Sequence, residues 1–414
     1  MWGKRMPAVS AQKCRAKLKL DLPISSEDLV NCGNVRCVEG GLRGAYGFDA
    51  QYFFRYYRTL KILGEKWPWT YFATDEGLFC VYSEMQTHVT YENYTVVSAC
   101  FYQGKLIFSA PGFGTYLIKD YRKEKIGDVG FVSMAACSDR LFGLANDGDL
   151  YVAPVGQIDF SEAFHITPHT KLSAVVTLGK KLYALGDACY VLEPYHADDV
   201  DITFRAMCYE IGKVQADSVV TLGSRVVFAT ENGLRLLQSD KITPIFSSLN
   251  NLVSFSGCVA CSHGGKYYLS CKRLDGTQEQ NDVTLILDVD QEKVVGVLNQ
   301  GFENMYSLGY TFYAVQNGSL MKINETPQSV YWQRTVDFDR ADKKYLDTLV
   351  IRTKQDVSVV IQTDNEKRIY RVKGKRALQR IPLAGHGRAF TVTLQAPSAM
   401  DVDYVELTAH RYEV

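Results

Sequence analysis

The sequence predicts an all-β chain, a β-propeller of about seven blades followed by a small antiparallel β-sandwich. Three observations carry this. A hairpin pattern, made of an apolar run, a turn and a second apolar run, recurs seven times, beginning at Trp69, Lys105, Arg140, Lys181, Arg225, Lys266 and Tyr310. The starts are 36, 35, 41, 44, 41 and 44 residues apart, the length of one four-stranded blade. The 414-residue chain is also 46% hydrophobic and 12% aromatic, with 26 Tyr and 20 Phe, a composition suited to packed sheet faces.

Three regions follow. Residues 1–60 form a lead-in: a basic arm, a Gly-rich passage from Glu39 to Phe48, and an aromatic segment from Phe48 to Leu63 whose Tyr, Phe and Thr content favours strand over helix. A strand from this segment, near Phe53, would close the last blade.

Residues 61–326 hold the repeats. The first and fifth copies nearly coincide, Phe72 to Leu78 matching Phe228 to Leu234. Asp75 to Gly77, Asp147-Gly148, Glu231 to Gly233 and Asn317-Gly318 supply residues that tolerate positive φ at hairpin turns. Radial closure leaves only short, protected sheet edges.

From about Pro327 the period is lost, and residues 327–414 read as the sandwich. Val357, Val359 and Ile361 alternate onto one face, with further strand patterns from Ala389 to Ala396 and Val402 to His410.

The zero net charge is unevenly spread. Residues 1–20 carry +6 and residues 330–414 carry 15 basic and 11 acidic side chains, or +4, which leaves −10 on residues 21–329. Basic ends flanking an acidic propeller point to contacts made by the ends. Between Lys367 and Arg388 lie eight cations and no acid: Lys367, Arg368, Arg371, Lys373, Lys375, Arg376, Arg380 and Arg388. Such a run can face phosphate or an acidic neighbouring subunit, or simply be solvated. Tyr370 is the only aromatic among them, so a stacking platform for single-stranded nucleic acid is not indicated.

Other chemistry is sparse. No stretch approaches the ~18 apolar residues of a membrane helix, so no membrane role is expected. The N-terminus lacks the apolar core of a secretory signal, so synthesis in a cytoplasm is expected. Eleven scattered cysteines argue against a disulfide framework. Cys32 and Cys37 with Cys258 and Cys261 could in principle hold zinc, but residues three apart in a strand point to opposite faces, and core packing is the better reading. His165 and His169 have helical metal spacing that Pro168 spoils, and the Asp-rich stretches 146–149 and 198–201 read as turns. Gly112-Phe-Gly114 lacks a dinucleotide fingerprint's third glycine. The Ser-x-Asp-x-Gly-x-x-Trp boxes of sialidases, the WD dipeptides and the repeated Gly-Gly pairs of kelch blades are missing. No enzyme activity, cofactor or metal is therefore expected.

The stretches Tyr331 to Phe338, Lys343 to Ile351, Arg380 to Arg388 and Val405 to Tyr412 resemble the ends of bacteriophage tail proteins, in which a Trp-containing strand leads from a propeller into a small β-sandwich. The layout is similar to tail nozzle or hub proteins of short-tailed phages. The resemblance implies a structural virion protein of the nozzle, hub or tip. It would assemble with other tail subunits into a homo-oligomeric ring, a hexamer on this likeness, around the DNA exit channel and support genome ejection. It also implies transient contact with passing DNA and localisation in the virion after synthesis in the bacterial cytoplasm. The alternative is a receptor- or glycan-binding propeller adhesin; a propeller glycosidase is the third reading.

Overall fold

The computed structural model describes residues 15–20, 32–38, 41–45, 47–50, 60–66, 69–82, 85–90, 95–119, 122–194, 202–276, 279–308, 311–324, 329–337, 344–364 and 366–411. The described residues contain strands and two short 3-10 turns, Ala216–Ser218 and Ser247–Asn251, and no α-helix. The chain divides into two compact units, Phe48–Lys293 with Asn299–Asn324, and Met1–Gly47 with Val294–Leu298 and Glu325–Val414. The first sixty residues are thus shared between the two units.

The first unit is a seven-bladed propeller. Blade 1 is Leu60–Lys66, Trp69–Thr74, Gly77–Tyr82 and Met85–Thr90; blade 2 is Ser98–Tyr102, Lys105–Ala110, Gly114–Lys119 and Arg122–Gly127. Blade 3 is Phe131–Cys137, Arg140–Ala145, Leu150–Val152 and Phe164–Ile166, and blade 4 is Leu172–Leu178, Lys181–Gly186, Ala188–Pro194 and Ile202–Tyr209. Blade 5 is Val220–Leu222, Arg225–Thr230, Gly233–Gln238 and Lys241–Ile245; blade 6 contributes Val253–His263, Lys266–Arg273 and Val283–Asp288. Blade 7 is Asn304–Leu308, Thr311–Gln316 and Ser319–Asn324, and its fourth strand is Gly47–Ala50 from the lead-in. Each of the seven repeated hairpins forms the second and third strands of a blade. The closing strand lies a few residues before Phe53, which itself falls outside the described residues.

The near-identity of the first and fifth repeats has a local cause. Thr74 Oγ1 donates to the Gly77 carbonyl at 3.2 Å and accepts from the Glu76 amide at 3.1 Å. Thr230 Oγ1 donates to Gly233 at 3.0 Å and accepts from Asn232 at 3.2 Å. The hydroxyl satisfies both turn groups, and the glycines take φ of 135° and 120°, which side chains disfavour.

Closure is set by the first strand of each blade. Each of these contacts the first strand of the next, and Asn304–Leu308 returns to Leu60–Lys66. A hydrogen bond crosses every seam. Lys61 Nζ donates to Val97 O (2.6 Å), Ser98 Oγ to Phe131 O (2.8 Å), and the Val175 amide to Ser133 Oγ (3.0 Å). Thr221 Oγ1 reaches Thr177 O (3.4 Å), the Tyr267 hydroxyl reaches Ser218 O (2.8 Å), His263 Nδ1 meets Ser307 Oγ (2.8 Å), and the Ile62 amide donates to Asn304 Oδ1 (3.2 Å). Ser or Thr hydroxyls on inner strands make four of these seven bonds, and Lys61, Tyr267 and Asn304 make the others.

Apolar packing lies between blades. Leu78 and Cys80 of blade 1 pack with Phe108 and Ile118 of blade 2. Phe142 and Leu144 of blade 3 pack with Leu182 and Tyr190 of blade 4, and Leu60 and Phe72 meet Val315 and Leu320 of blade 7. Each such side chain contributes roughly 1.5–3 kcal/mol when fully buried.

The second unit contains two antiparallel sheets. One is ordered Val330–Asp337, Ala389–Ala396, Val357–Gln362, Lys367–Val372. Val357, Val359 and Ile361 are all buried, as their alternation requires, and Trp332 is fully buried. The other centres on Asp401–Arg411, which pairs with Lys344–Thr353, Arg15–Lys19 and Gly41–Gly44. Beyond these, Lys375–Pro382 pairs with Lys344–Thr353, and Val35–Val38 pairs with Gly41–Gly44. The basic arm thus enters this unit as a strand. Arg43 bridges Asp401 (2.7 Å) and Asp403 (2.8 Å); burial works against the Asp403 charge, but the Arg43 hydrogen bond and neighbouring cations hold its carboxyl below the usual range.

Candidate functional site

The eight cations sit on and beside two strands. Lys367, Arg368 and Arg371 belong to Lys367–Val372, Lys373 lies in the following turn, and Lys375, Arg376 and Arg380 belong to Lys375–Pro382. Arg388 precedes Ala389–Ala396. All eight are exposed. The two strands terminate different sheets, so each presents an open edge. Six of the eight cations therefore lie on two successive strands, three on each, with Lys373 in the turn between them and Arg388 beyond the second. The Gly374 amide anchors the turn between them on Asp356 Oδ1 at 2.8 Å, and Gln379 Nε2 donates to Lys373 O at 2.8 Å.

Pairing fixes the direction of each strand's side chains. Lys367, Ile369 and Arg371 stand opposite Gln362, Val360 and Ser358, on the face away from Val359 and Ile361. On the second strand Ile381 and Gln379 oppose the buried Leu349 and Ile351, which turns Arg376, Leu378 and Arg380 outward. Each outward strip therefore carries two or more cations and one apolar side chain, Ile369 at 63% exposure and Leu378 at 55%. Among the described residues, Arg368 is the one cation of the eight with a carboxylate partner, Glu366 at 2.8 Å. Tyr370 caps the region, its hydroxyl accepting from the Ala384 amide at 3.3 Å. Residue counting along the sequence finds the charge but not the two apolar residues; reading the strand with a period of two would have found them.

A second feature lies on the propeller. A polar pocket of roughly 620 Å³ opens between blades 6 and 7, lined by residues that include Asp217, Glu279, Asn281, Asp282, Asn299 and Glu303. Its lining is held in place. Asn281 Nδ2 donates to Gly257 O (3.2 Å) and Phe302 O (3.1 Å), Arg273 Nη2 donates to Asn299 Oδ1 (2.6 Å), and Asp282 Oδ1 accepts the Arg273 amide (2.8 Å). The irregular pairing between Ser254 and Val259 throws Ser256 and Gly257 onto its rim. Asp217 also borders an axial cavity of roughly 290 Å³, where it lies 3.5 Å from Lys61. No sequence motif marks either cavity, because the contributing residues come from turns far apart in the chain.

The remaining sequence candidates are placed as follows. Cys258 and Cys261 are buried in Val253–His263, and burial pushes the Cys258 thiol up to about 12 and Cys261 higher. Cys32 is buried and Cys37 half-buried in the other unit. His165 lies in a strand, its ring centroid 5.6 Å from Tyr151. Gly112 and Gly114 flank a hairpin turn, Asp147 caps a turn through the Asp149 amide (3.1 Å), and residues 198–201 lie outside the described residues. Among the described residues no three His, Cys, Asp or Glu side chains come together to hold a metal ion. No described helix is long and apolar enough to cross a membrane.

No protein-family model matches the chain, and no curated protein sequence does. Solved structures similar to it include BamB from Moraxella catarrhalis, at 11% identity and TM-score 0.46, covering 74% of this chain and 97% of that one. The WD40 β-propeller domain of Doa1 aligns at 9% identity and TM-score 0.48, covering 67% and 96%. BBS1N in complex with ARL6DN aligns at 10% and 0.47, covering 70% and 96%. These likenesses bring no activity, ligand or partner to this chain.

Proposed function

We propose that this chain is a structural subunit that works by assembly, and that its assembly is a ring of identical copies in a bacteriophage tail, at the nozzle, hub or tip, around the path of the DNA. The observation that carries the reading is the pair of open strand edges bearing five cations without carboxylate partners among the described residues, Lys367, Arg371, Lys375, Arg376 and Arg380, together with the exposed Ile369 and Leu378. Charge alone gives steering and register, whereas apolar side chains among the charges supply area that is lost to water on docking. The −10 carried by residues 21–329 makes the acidic part of a second copy, or of another tail subunit, the complementary partner. A head-to-tail contact of that kind closes into a ring when its rotation permits. Virion localisation, transient contact with passing DNA and the lack of any catalytic role belong to the same reading.

The test is the native mass of the untagged protein with negative-stain images, at low and high salt. A closed ring that loosens with salt supports the reading; a monomer at every concentration, salt and partner tested overturns it.

The polar pocket between blades 6 and 7 favours a second reading, a binding propeller. Its fixed amide and carboxylate groups suit a neutral, hydroxyl-rich ligand such as a glycan. Glycan-array binding that is lost in Asn281→Ala, without ring formation, would select it.

A further inference from the structure

In blade 4, Cys189 on Ala188–Pro194 stands directly opposite Cys208 on Ile202–Tyr209. Directly opposed residues of an antiparallel pair have Cα atoms about 4.5–5.5 Å apart, inside the 4.4–6.8 Å span that a disulfide bridges. Opposition also puts both side chains on one face of the sheet, and both pack into the same apolar cluster with Tyr183, Val191 and Phe228. Both thiols are free, Cys189 buried and Cys208 half-exposed. The pairing shifts register between Cys189 and Tyr190, a bulge beside the pair that bends the strand locally.

The two thiols differ in character. Cys189 Sγ lies 3.9 Å from both Tyr190 O and Met207 Sδ as donor; interaction between the two thiols, together with burial, pushes the Cys189 pKa up, and the same interaction, against burial, pulls that of Cys208 down. Cys208 is the half-exposed member of the pair and so the one that a peroxide in solvent reaches.

We propose that Cys189 and Cys208 form a peroxide-reactive thiol pair that closes to a cross-strand disulfide, with Cys208 as the attacking group. The Cys208 thiolate attacks one oxygen of hydrogen peroxide, breaking the O–O bond; hydroxide leaves, takes up a proton as water, and Cys208 becomes a sulfenic acid. The Cys189 sulfur then attacks the Cys208 sulfur, forming the S–S bond and expelling a second water that carries the Cys189 proton. Two thiols are oxidised and one peroxide is reduced to two waters. The bond ties the outermost strand of blade 4 to its neighbour, and it is independent of the assembly reading.

The experiment treats the full-length, fully reduced chain with hydrogen peroxide and reads intact mass and an unreduced peptide map. The expected result is loss of two hydrogens and a cross-linked peptide joining Cys189 to Cys208, both reversed by dithiothreitol. Cys189→Ala should leave Cys208 as a sulfenic acid trapped by dimedone, and Cys208→Ser should lose the hydrogen-loss product. Oxygen addition at Cys208 of the native chain without cross-linking, a cross-link between other cysteines, or an unreacted pair once other exposed thiols are consumed would each overturn the proposal; none of these depends on a variant folding.

Discussion

Phe48 closes the propeller from a strand that the chain lays down before the first blade, so its removal tests whether that closure holds the ring. Its ring lies 4.9 Å from Phe302 and 5.8 Å from Phe312 by centroid, and it is 8% exposed. Phe48→Ala removes most of an aromatic side chain and leaves a cavity, at a cost of about 3–5 kcal/mol. At about 2 °C per kcal/mol for a unit of this size, the propeller's melting temperature should fall by roughly 6–10 °C. Calorimetry and urea unfolding of the full chain measure it. Phe113→Ala, in a turn and 52% exposed, is the control and should cost under about 0.5 kcal/mol. If the two variants melt together, the Gly47–Ala50 strand does not hold the ring closed and the reasoning fails.

Asp240 accepts from Lys181 Nζ and the Tyr183 hydroxyl, joining blade 5 to blade 4. The hydrogen bonds from Lys181 and then Tyr183 depress its pKa; the folded state therefore gains stability from this site above the ordinary Asp pKa and loses it as pH falls through the depressed value. Asp240→Asn should cost about 1–2 kcal/mol at pH 7 and flatten the loss of stability below about pH 4, read from urea midpoints across pH. Thr230→Val, which keeps shape but removes the hydroxyl that serves two turn groups, should cost about 1–2 kcal/mol, and Thr74→Val should cost a similar amount in the equivalent turn of blade 1. A near-zero effect at both, by the same urea midpoints, would sever the near-identical sequences from the shared turn.

How far the sequence reveals this molecule depends on how local each signal is. The hairpins were legible because a blade's second and third strands are adjacent in sequence, with Gly77 or Gly233 marking the turn. The first strands were not, since Val220–Leu222 has three residues and Ala99, Cys100 and Ser133 are small or mixed in character; only their neighbours around the ring make them strands. The role of Gly47–Ala50 joins residues more than 250 positions apart, which no local period records. The eight cations were visible as a run, but their division between two sheets depends on the chain changing sheets at Lys373-Gly374. The lining of the pocket and the opposition of Cys189 and Cys208 depend likewise on register.

Lys and Arg on an open strand edge have a use that needs no partner: they keep edges from pairing with other chains. That use is satisfied by charge alone and is weakened by apolar neighbours, which invite contact. Ile369 and Leu378 therefore separate guarding from docking. If the edges are only guarded, Ile369→Ser with Leu378→Ser should leave self-association unchanged at every salt concentration, since nothing that binds has been removed. If they dock, burying both side chains contributes about 2–4 kcal/mol in total, and the double variant should weaken association by roughly 30-fold or more while leaving its salt dependence intact. Arg376→Glu with Arg380→Glu should instead change that salt dependence, because charge-driven contacts are screened by salt. Sedimentation velocity over a salt series measures both variants. An apolar double variant that associates as the parent does would return these edges to guarding and remove the main support for assembly through them.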